Sequence, residues 1–296
     1  MDQQTIDRYA EAARRWAAVD QAYNARIATV PDSRRWLAVQ ALALAQSRRS
    51  LLMSLNPSAG TTLVDLGCGF GMGVVEAAAL GPLRAIGVDL DAEVLGVARA
   101  AAADVAGAGM LAAGSTVDFL DGNAYEVPVD ASSVDLVISQ FLFQHLDAPD
   151  RATREVARIL RPGGVACIID VDDGLSITYP PASAAYLALA GALRGSQEGG
   201  GGDRQVGRKV AALLDDAGLD PLNVAVVSQS GYRRVDAGDL SRQLLVERFR
   251  AARPSIVERG LMSAETFDAT LSEFATEDEG PVCEVEAYLV VTARRR

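Results

Sequence analysis

Glycine occupies every second position from 67 to 73 in the segment Val64-Asp65-Leu66-Gly67-Cys68-Gly69-Phe70-Gly71-Met72-Gly73. A short apolar run precedes these glycines and an Ala-rich run follows them, which predicts a strand, a tight turn and a helix. Such a turn leaves bare backbone amides at a helix N-terminus, where a ligand can approach closely. Asp65 lies just before the turn, and its carboxylate suits a ligand that carries an amino group.

A second apolar run ends at Asp89. A carboxylate at the tip of the second strand can accept both hydroxyls of a ribose through its two oxygens. The sequence lacks the dinucleotide fingerprint G-x-G-x-x-G. Counted from Gly67, the third glycine would have to stand at Met72, and counted from Gly69, at Val74. The sequence therefore favours a ligand with a ribose and an amino group over a nicotinamide dinucleotide.

Cysteine and histidine are too few for several kinds of site. The three cysteines, Cys68, Cys167 and Cys283, are far apart without a Cys-x-x-Cys spacing, and His145 is the only histidine. This pattern effectively excludes a structural zinc site and does not indicate a disulfide framework. Neither a G-x-S-x-G elbow nor a phosphate-binding G-x-x-x-x-G-K-[ST] loop occurs, which disfavours hydrolases and kinases.

The charge balance restricts the partners. The 296 residues carry a net charge of −11, which argues against a nucleic-acid partner because duplex binding needs a cationic surface. Arginine pairs such as Arg48-Arg49 are typical of solvated faces. No apolar stretch approaches the roughly 20 residues that a membrane span needs, and no secretory signal is visible. We expect a cytoplasmic protein without a membrane partner; its oligomeric state is not indicated, and a homodimer is an open alternative.

Hydrophobic spacing divides the chain into a helical start and an alternating remainder. Residues 1–59 have apolar residues at helical spacing, with a break at Val30-Pro31-Asp32-Ser33. Later, short apolar runs alternate with longer amphipathic segments, which is typical of a parallel α/β sheet. The predicted strands are Thr62–Leu66, Arg84–Val88, Thr116–Leu120, Val134–Ser139, Gly164–Val171, Leu222–Gln229 and Cys283–Thr292. The predicted helices span residues 72–80, 91–105, 150–160 and 205–217.

Two segments, 174–203 and 235–281, do not fit the alternation. We expect both near the ligand-binding edge of the sheet and interpret them as a lid, with packing insertions that touch no ligand as the alternative. The predicted organisation is a helical cap (1–59), a cofactor-binding core (60–173), a lid insertion (174–203), a core continuation (204–234), a second lid insertion (235–281), and the last strand with a tail (282–296).

Further motifs follow the glycine loop and Asp89 in a fixed order. They are Asp121-Gly122-Asn123-Ala124-Tyr125-Glu126-Val127-Pro128, Val134–Phe141, Gln144-His145-Leu146 and Ile159-Leu160-Arg161-Pro162-Gly163-Gly164. Together they resemble the class I S-adenosylmethionine-dependent methyltransferases, in particular the bacterial small-molecule subgroup. In that family they correspond to the G-D-A-x-x-L-P segment at adenine, the fourth strand, the H-H-L motif and the L-x-P-G-G turn. The resemblance covers residues 62–171, and beyond residue 180 it is loose.

The resemblance implies an α/β fold with a Rossmann-like, seven-stranded, mostly parallel sheet whose last strand is antiparallel, with N-terminal helices and helical lid insertions. It implies S-adenosyl-L-methionine as the cofactor. Asn123 stands where the family more often has Asp, so it would accept from the adenine amino group without charge. The implied cofactor-binding residues are Asp65, Gly67, Cys68, Gly69, Gly71, Asp89, Leu90, Asn123, Ala124 and Gln140.

His145 is the candidate catalytic residue, because it follows the fourth strand near the place of methyl transfer in the family. Displacement at a sulfonium mainly requires alignment, and a general base helps only when the acceptor must lose a proton. Gln144 replaces the first His of the motif and removes one potential base. Two hypotheses stay open: His145 is a base whose activity rises through a pKa of about 6 to 7, or a hydrogen-bonded residue that shapes its loop.

The sequence thus predicts an S-adenosylmethionine-dependent methyltransferase that acts on a small molecule, with bacterial secondary metabolism as one setting. A non-methylating enzyme such as a cyclase, or a protein that only binds the cofactor, are the alternatives on the same scaffold. Whether the accepting atom is oxygen, nitrogen or carbon is left open.

Overall fold

The computed structural model describes residues 3–236, 238–278 and 280–296. The helices are α1 (Gln3–Arg26), α2 (Asp32–Ala43), α3 (Ala45–Leu55), α4 (Met72–Leu80), α5 (Ala92–Gly107), α6 (Pro149–Ile159), α7 (Ala184–Glu198), α8 (Val210–Asp216), α9 (Leu240–Glu258) and α10 (Ala264–Thr276). The strands are β1 (Thr62–Leu66), β2 (Arg84–Asp89), β3 (Thr116–Asp121), β4 (Val134–Gln140), β5 (Leu160–Val171), β6 (Ile177–Tyr179), β7 (Leu219–Val235) and β8 (Gly280–Arg295).

Five strands form the parallel part of one sheet, in the order β3-β2-β1-β4-β5. Strand β8 is antiparallel to β5, and β7 pairs with β8 along its whole length. The predicted fold class is therefore confirmed. Because parallel strands end at the same edge, the residues that follow β1, β2 and β4 meet there, at the edge where open α/β sheets bind ligands.

The predicted strands all occur, with two differences. The short strand β6 pairs with β8 inside the segment predicted to be a lid insertion, so the sheet has an eighth strand in the described residues. Strands β5, β7 and β8 are also longer than predicted, and β5 begins at Leu160 instead of Gly164. Gly231 and Pro281 both lie within the β7–β8 pairing, although glycine weakens strands and proline lacks an N–H.

Helices α1 and α4 pack next to the glycine loop and stabilise its position. Eight of the nine residues of α4 are buried. The Trp16 indole donates to the Glu76 carbonyl at 2.9 Å, and the Tyr23 hydroxyl donates to the Phe70 carbonyl at 2.8 Å. The N-terminal helices therefore form part of the core and position the glycine loop, which includes Phe70.

Helices α7, α9 and α10 pack around a separate apolar cluster that includes Phe249, Phe267 and Phe274. They come from the two segments predicted as lid insertions. Helix α9 also contacts α2, where the Arg248 guanidinium lies 5.3 Å from the centre of the Trp36 ring. The lid function of these helices stays a prediction. No helix within the described ranges is both long enough and apolar enough to cross a lipid bilayer.

Candidate active site

The glycine loop turns through backbone conformations that L residues rarely adopt. Gly67, Gly69 and Gly71 have φ angles of +75°, +52° and +70°. A Cβ at Gly71 would lie 2.3 Å from the Phe119 ring, whereas a Cβ at Gly69 would meet no protein atom within 4 Å. Gly71 is thus required by packing, and Gly69 leaves open space beside bare backbone that a ligand can use.

Asp89 ties the tip of β2 to the glycine loop. Its Oδ2 accepts a hydrogen bond from the Gly69 amide at 2.7 Å, and its Oδ1 accepts one from the Asp91 amide at 3.0 Å. Each carboxylate oxygen can accept more than one hydrogen bond. Asp89 can therefore hold the loop and still accept ribose hydroxyls. Asp91 caps α5 through the amides of Glu93 and Val94, which is a structural role.

Asp65 is a buried carboxylate at the start of the loop. No described residue donates a hydrogen bond to it. Burial is the main cause that raises the Asp65 pKa to about 7; Arg48 opposes the shift, while Asp89 and Glu76 add to it. An unpaired buried carboxylate is costly unless a cation approaches it. Asp65 is therefore suited to bind an ammonium group.

A cavity of about 440 Å³ opens between this loop and the helices beyond it. It brings together seven of the predicted site residues. They are Asp65, Gly67, Cys68, Gly69, Asp89, Gln140 and His145.

The other four predicted site residues do not line the cavity described here. Gly71 packs against Phe119, as shown above. The Leu90 side chain is 76% exposed beside Asp89, Ala124 is buried, and Asn123 is exposed. The Asn123 Oδ1 accepts from the Tyr125 amide at 3.0 Å. Since the Gly122 amide donates to the Asp89 carbonyl at 3.0 Å, this segment adjoins the tip of β2, and its contact with adenine stays a prediction.

The far side of the cavity carries a group of ionisable residues that we call the charged wall. It consists of His145, Asp173, Arg204, Arg248 and Glu286. Arg204 is paired twice: its guanidinium donates to the Asp173 carboxylate at 2.7 Å and to the Gln144 Oε1 at 2.6 Å. Gln144, where the family has a histidine, thus positions an arginine.

His145 lies in the charged wall with its ring accessible from the cavity. No described residue forms a hydrogen bond with the imidazole, so the hypothesis that such a bond shapes the loop has no support here. Surrounding protein atoms are the main cause that lowers the His145 pKa to about 4, and the charges of Arg248 and Arg204 add to the effect. This value lies below the pKa of about 6 to 7 that the base hypothesis assumes for an ordinary imidazole.

Several cavity residues were not found by sequence reasoning. Arg48 is one, and its pair with Arg49 is not a solvated face: both arginines bind the fully buried Glu76, at 2.5 Å and 2.8 Å. The others include Trp36, Arg204, Arg248 and Glu286. They come from α2, α9, β8 and a loop, and no local motif signals that these segments converge.

Comparisons with known proteins agree with the methyltransferase resemblance of the sequence motifs. Residues 64–168 match the family model described as a methyltransferase domain. The chain is 29% identical over 250 residues to the 27-O-demethylrifamycin SV methyltransferase of Amycolatopsis mediterranei, covering 80% of this chain and 78% of that protein. It is 28% identical over 217 residues to an uncharacterised 37.1 kDa protein of transposon TN4556 from Streptomyces fradiae, covering 71% of this chain but only 58% of that protein's length.

The structure also resembles that of the YcgJ protein from Bacillus subtilis. The TM-score is 0.54 at 16% identity, covering 85% of this chain and 98% of the other. At that identity the likeness concerns the fold. Residues 64–168 thus form a methyltransferase domain, and the comparisons support a class I S-adenosylmethionine-dependent methyltransferase. The family's cofactor is S-adenosylmethionine.

The residues of this methyltransferase fit that cofactor. The unpaired Asp65 carboxylate, which lines the cavity, suits the ammonium of the methionine part. The open space at Gly69 and the free acceptor capacity of Asp89 suit the ribose.

Proposed function

We propose that this methyltransferase transfers a methyl group from S-adenosylmethionine to a small molecule held in the cavity between the glycine loop and the charged wall. The observation that carries the proposal is the continuity of this cavity. One space of about 440 Å³ contacts both the predicted cofactor residues, such as Asp65 and Asp89, and His145 with its neighbours. Its size is in the range of small-molecule sites.

The shape of the site supports a small acceptor rather than a polymer. Helices α2 and α9 contribute Trp36 and Arg248 to the cavity wall, so these helices cover the strand ends. The Phe141 and Tyr288 rings, with centres 5.6 Å apart, add an apolar surface. Enclosure excludes water and fixes the orientation of donor and acceptor, which is the main requirement of a displacement at a methyl carbon.

Different residues of the chain bind the cofactor and accept the proton. S-adenosylmethionine supplies, when bound, the electrophilic methyl group. Asp65 binds the ammonium of its amino-acid part, and Asp89 binds its ribose. The neutral imidazole of His145 accepts a hydrogen bond from an acceptor hydroxyl and takes its proton where the acceptor must lose one.

The relative from Amycolatopsis mediterranei supports a small acceptor, because its name describes the methylation of 27-O-demethylrifamycin SV. Its similarity extends over 80% of this chain, well beyond the cofactor-binding core. We infer from it that the acceptor here is a bacterial small molecule, in a setting such as secondary metabolism.

Two measurements test the proposal. S-adenosylhomocysteine should raise the melting temperature through preferential binding to the folded state, whereas NAD should not. Labelled S-adenosylmethionine should then transfer its methyl group to at least one member of a panel of small aromatic acceptors. Binding without transfer to any acceptor would favour the cofactor-binding or non-methylating alternatives. Stabilisation by NAD alone would contradict the cofactor assignment.

A further inference from the structure

Arg248 is a cavity arginine without a carboxylate partner. It projects from the middle of α9 into the cavity wall, and none of residues 3–236, 238–278 and 280–296 forms an ion pair or a hydrogen bond with it. Its recorded contact is the face of the Trp36 ring at 5.3 Å. By contrast, the other two cavity arginines are paired, Arg48 with Glu76 and Arg204 with Asp173.

The environment makes this lone charge costly. Burial is the main cause that lowers the Arg248 pKa to about 10, and the charge of Arg204 adds to the effect, while Tyr186, Asp173 and Glu286 oppose it. Arg248 is therefore still cationic at neutral pH. A buried charge without a partner is unfavourable, whereas a guanidinium that meets a carboxylate gains two parallel charge-assisted hydrogen bonds.

We propose that Arg248 binds an anionic group of the acceptor, so that the acceptor is a planar, largely apolar molecule that carries a carboxylate or an equivalent oxyanion. The proposal rests on the proposed function, since it assigns the substrate class of that same site. The Trp36 ring beside the guanidinium, together with Phe141 and Tyr288, offers flat apolar surfaces for the rest of such a molecule.

The charged wall holds two carboxylates, Asp173 and Glu286; Asp173 is paired with Arg204, so Glu286 is the one that could compete with an anion. It lines the same cavity, and burial followed by the charge of Glu284 raises its pKa, while Arg248 opposes that shift. The two groups are too far apart to form an ion pair within 4.0 Å. Glu286 therefore leaves the donors of Arg248 open to an incoming anion, and its negative charge repels that anion.

The test uses 2-naphthoate and the neutral 2-naphthamide as probes, titrated calorimetrically into protein saturated with S-adenosylhomocysteine. We expect the wild-type protein to bind naphthoate more tightly than naphthamide. Arg248→Gln should weaken naphthoate binding by roughly tenfold or more and leave naphthamide binding unchanged. Arg248→Lys should give an intermediate loss of naphthoate affinity, because lysine keeps the positive charge but cannot donate two parallel hydrogen bonds to a carboxylate. Glu286→Gln should tighten naphthoate binding.

Arg250→Gln is the matched control, because Arg250 is exposed on the same helix. The proposal is overturned if wild-type protein does not bind naphthoate, if it binds both probes equally, or if Arg248→Gln binds naphthoate as the wild type does. The melting temperature and the S-adenosylhomocysteine affinity of each variant are measured alongside, so that misfolding is recognised. If the wild-type protein fails to bind S-adenosylhomocysteine, the proposed function fails instead, and the two failures are distinguished.

Discussion

The Asp89 carboxylate accepts a hydrogen bond from the Gly69 amide at 2.7 Å, which joins the tip of β2 to the middle of the glycine loop. The residue expected to bind the cofactor ribose thus also fixes the backbone against which the cofactor lies. Cofactor binding and loop order are therefore coupled through a single side chain.

Asp89→Ala should weaken S-adenosylhomocysteine binding by about 2–4 kcal/mol, because it removes charge-assisted hydrogen bonds to the ribose and releases the Gly69 amide. Calorimetry on the purified variant measures the loss, and circular dichroism checks the fold. Asp118→Ala is a suitable control, since Asp118 is an exposed acid on β3 that lies outside the segment assigned to adenine. Unchanged affinity in a folded Asp89→Ala variant would move the ribose contact to another residue.

Asp65 predicts a pH dependence of cofactor binding. Its pKa in the free protein is about 7, and only the ionised form attracts the cofactor's ammonium. Affinity should therefore be level above pH 7 and fall as the pH drops below it, by up to about tenfold per unit. Calorimetric titrations with S-adenosylhomocysteine between pH 5.5 and 8.5 measure this dependence.

The variant Asp65→Asn should bind the cofactor weakly and lose that pH dependence. It should also raise the melting temperature of the free protein at pH 8. The folded-state pKa of Asp65 lies above its unfolded value, so its ionisation above about pH 4 costs stability that the amide does not. A lower melting temperature together with full cofactor affinity would show that Asp65 is a structural residue.

Gly69 and Gly71 should respond differently to alanine. Gly71→Ala should destabilise the protein by about 2 kcal/mol or more, because its Cβ would overlap the Phe119 ring at a positive φ. Gly69→Ala should cost only about 1 kcal/mol of stability, because no protein atom opposes its Cβ, but it should weaken cofactor binding. Chemical denaturation and calorimetry on both variants separate the effects. Equal losses of stability would contradict the assigned roles.

His145→Ala and His145→Asn should both retain the wild-type melting temperature, since the imidazole makes no hydrogen bond with a described residue. If His145 is the base, both should lower the turnover number by roughly a hundredfold with intact cofactor affinity. Wild-type turnover should be level between pH 5.5 and 8, because the His145 pKa of about 4 keeps the imidazole neutral there. Recovery of activity in the Asn variant alone would support a loop-shaping role.

The charged wall can be observed directly by NMR, because His145 is the only histidine. Its imidazole resonances should titrate with a pKa of about 4 in the free protein. Arg248→Gln should raise that pKa, since it removes a nearby positive charge, while Arg204 and the surrounding protein atoms still hold it below the ordinary value. The same titration in Arg250→Gln serves as the reference. An ordinary pKa in the wild-type protein would show that the wall does not surround His145 as described.

The sequence by itself determined the parallel core, the glycine loop and Asp89. These features are local: an apolar run of five or six residues forms a strand, alternate glycines permit the turn, and an acid follows the next run. Parallel pairing then brings the ends of β1, β2 and β4 to one edge without further information. The resemblance to a known family rests on the same contiguous segments.

Only the tertiary structure decided which residues oppose that loop. Trp36, Gln144, Arg204, Arg248 and Glu286 are separated by up to 250 residues along the chain, and no spacing predicts their approach. The pKa of His145 likewise depends on Arg204 and Arg248, which reach it from other elements. Burial and charge act through space, so the strongest shifts in the site arise from neighbours that packing alone brings together.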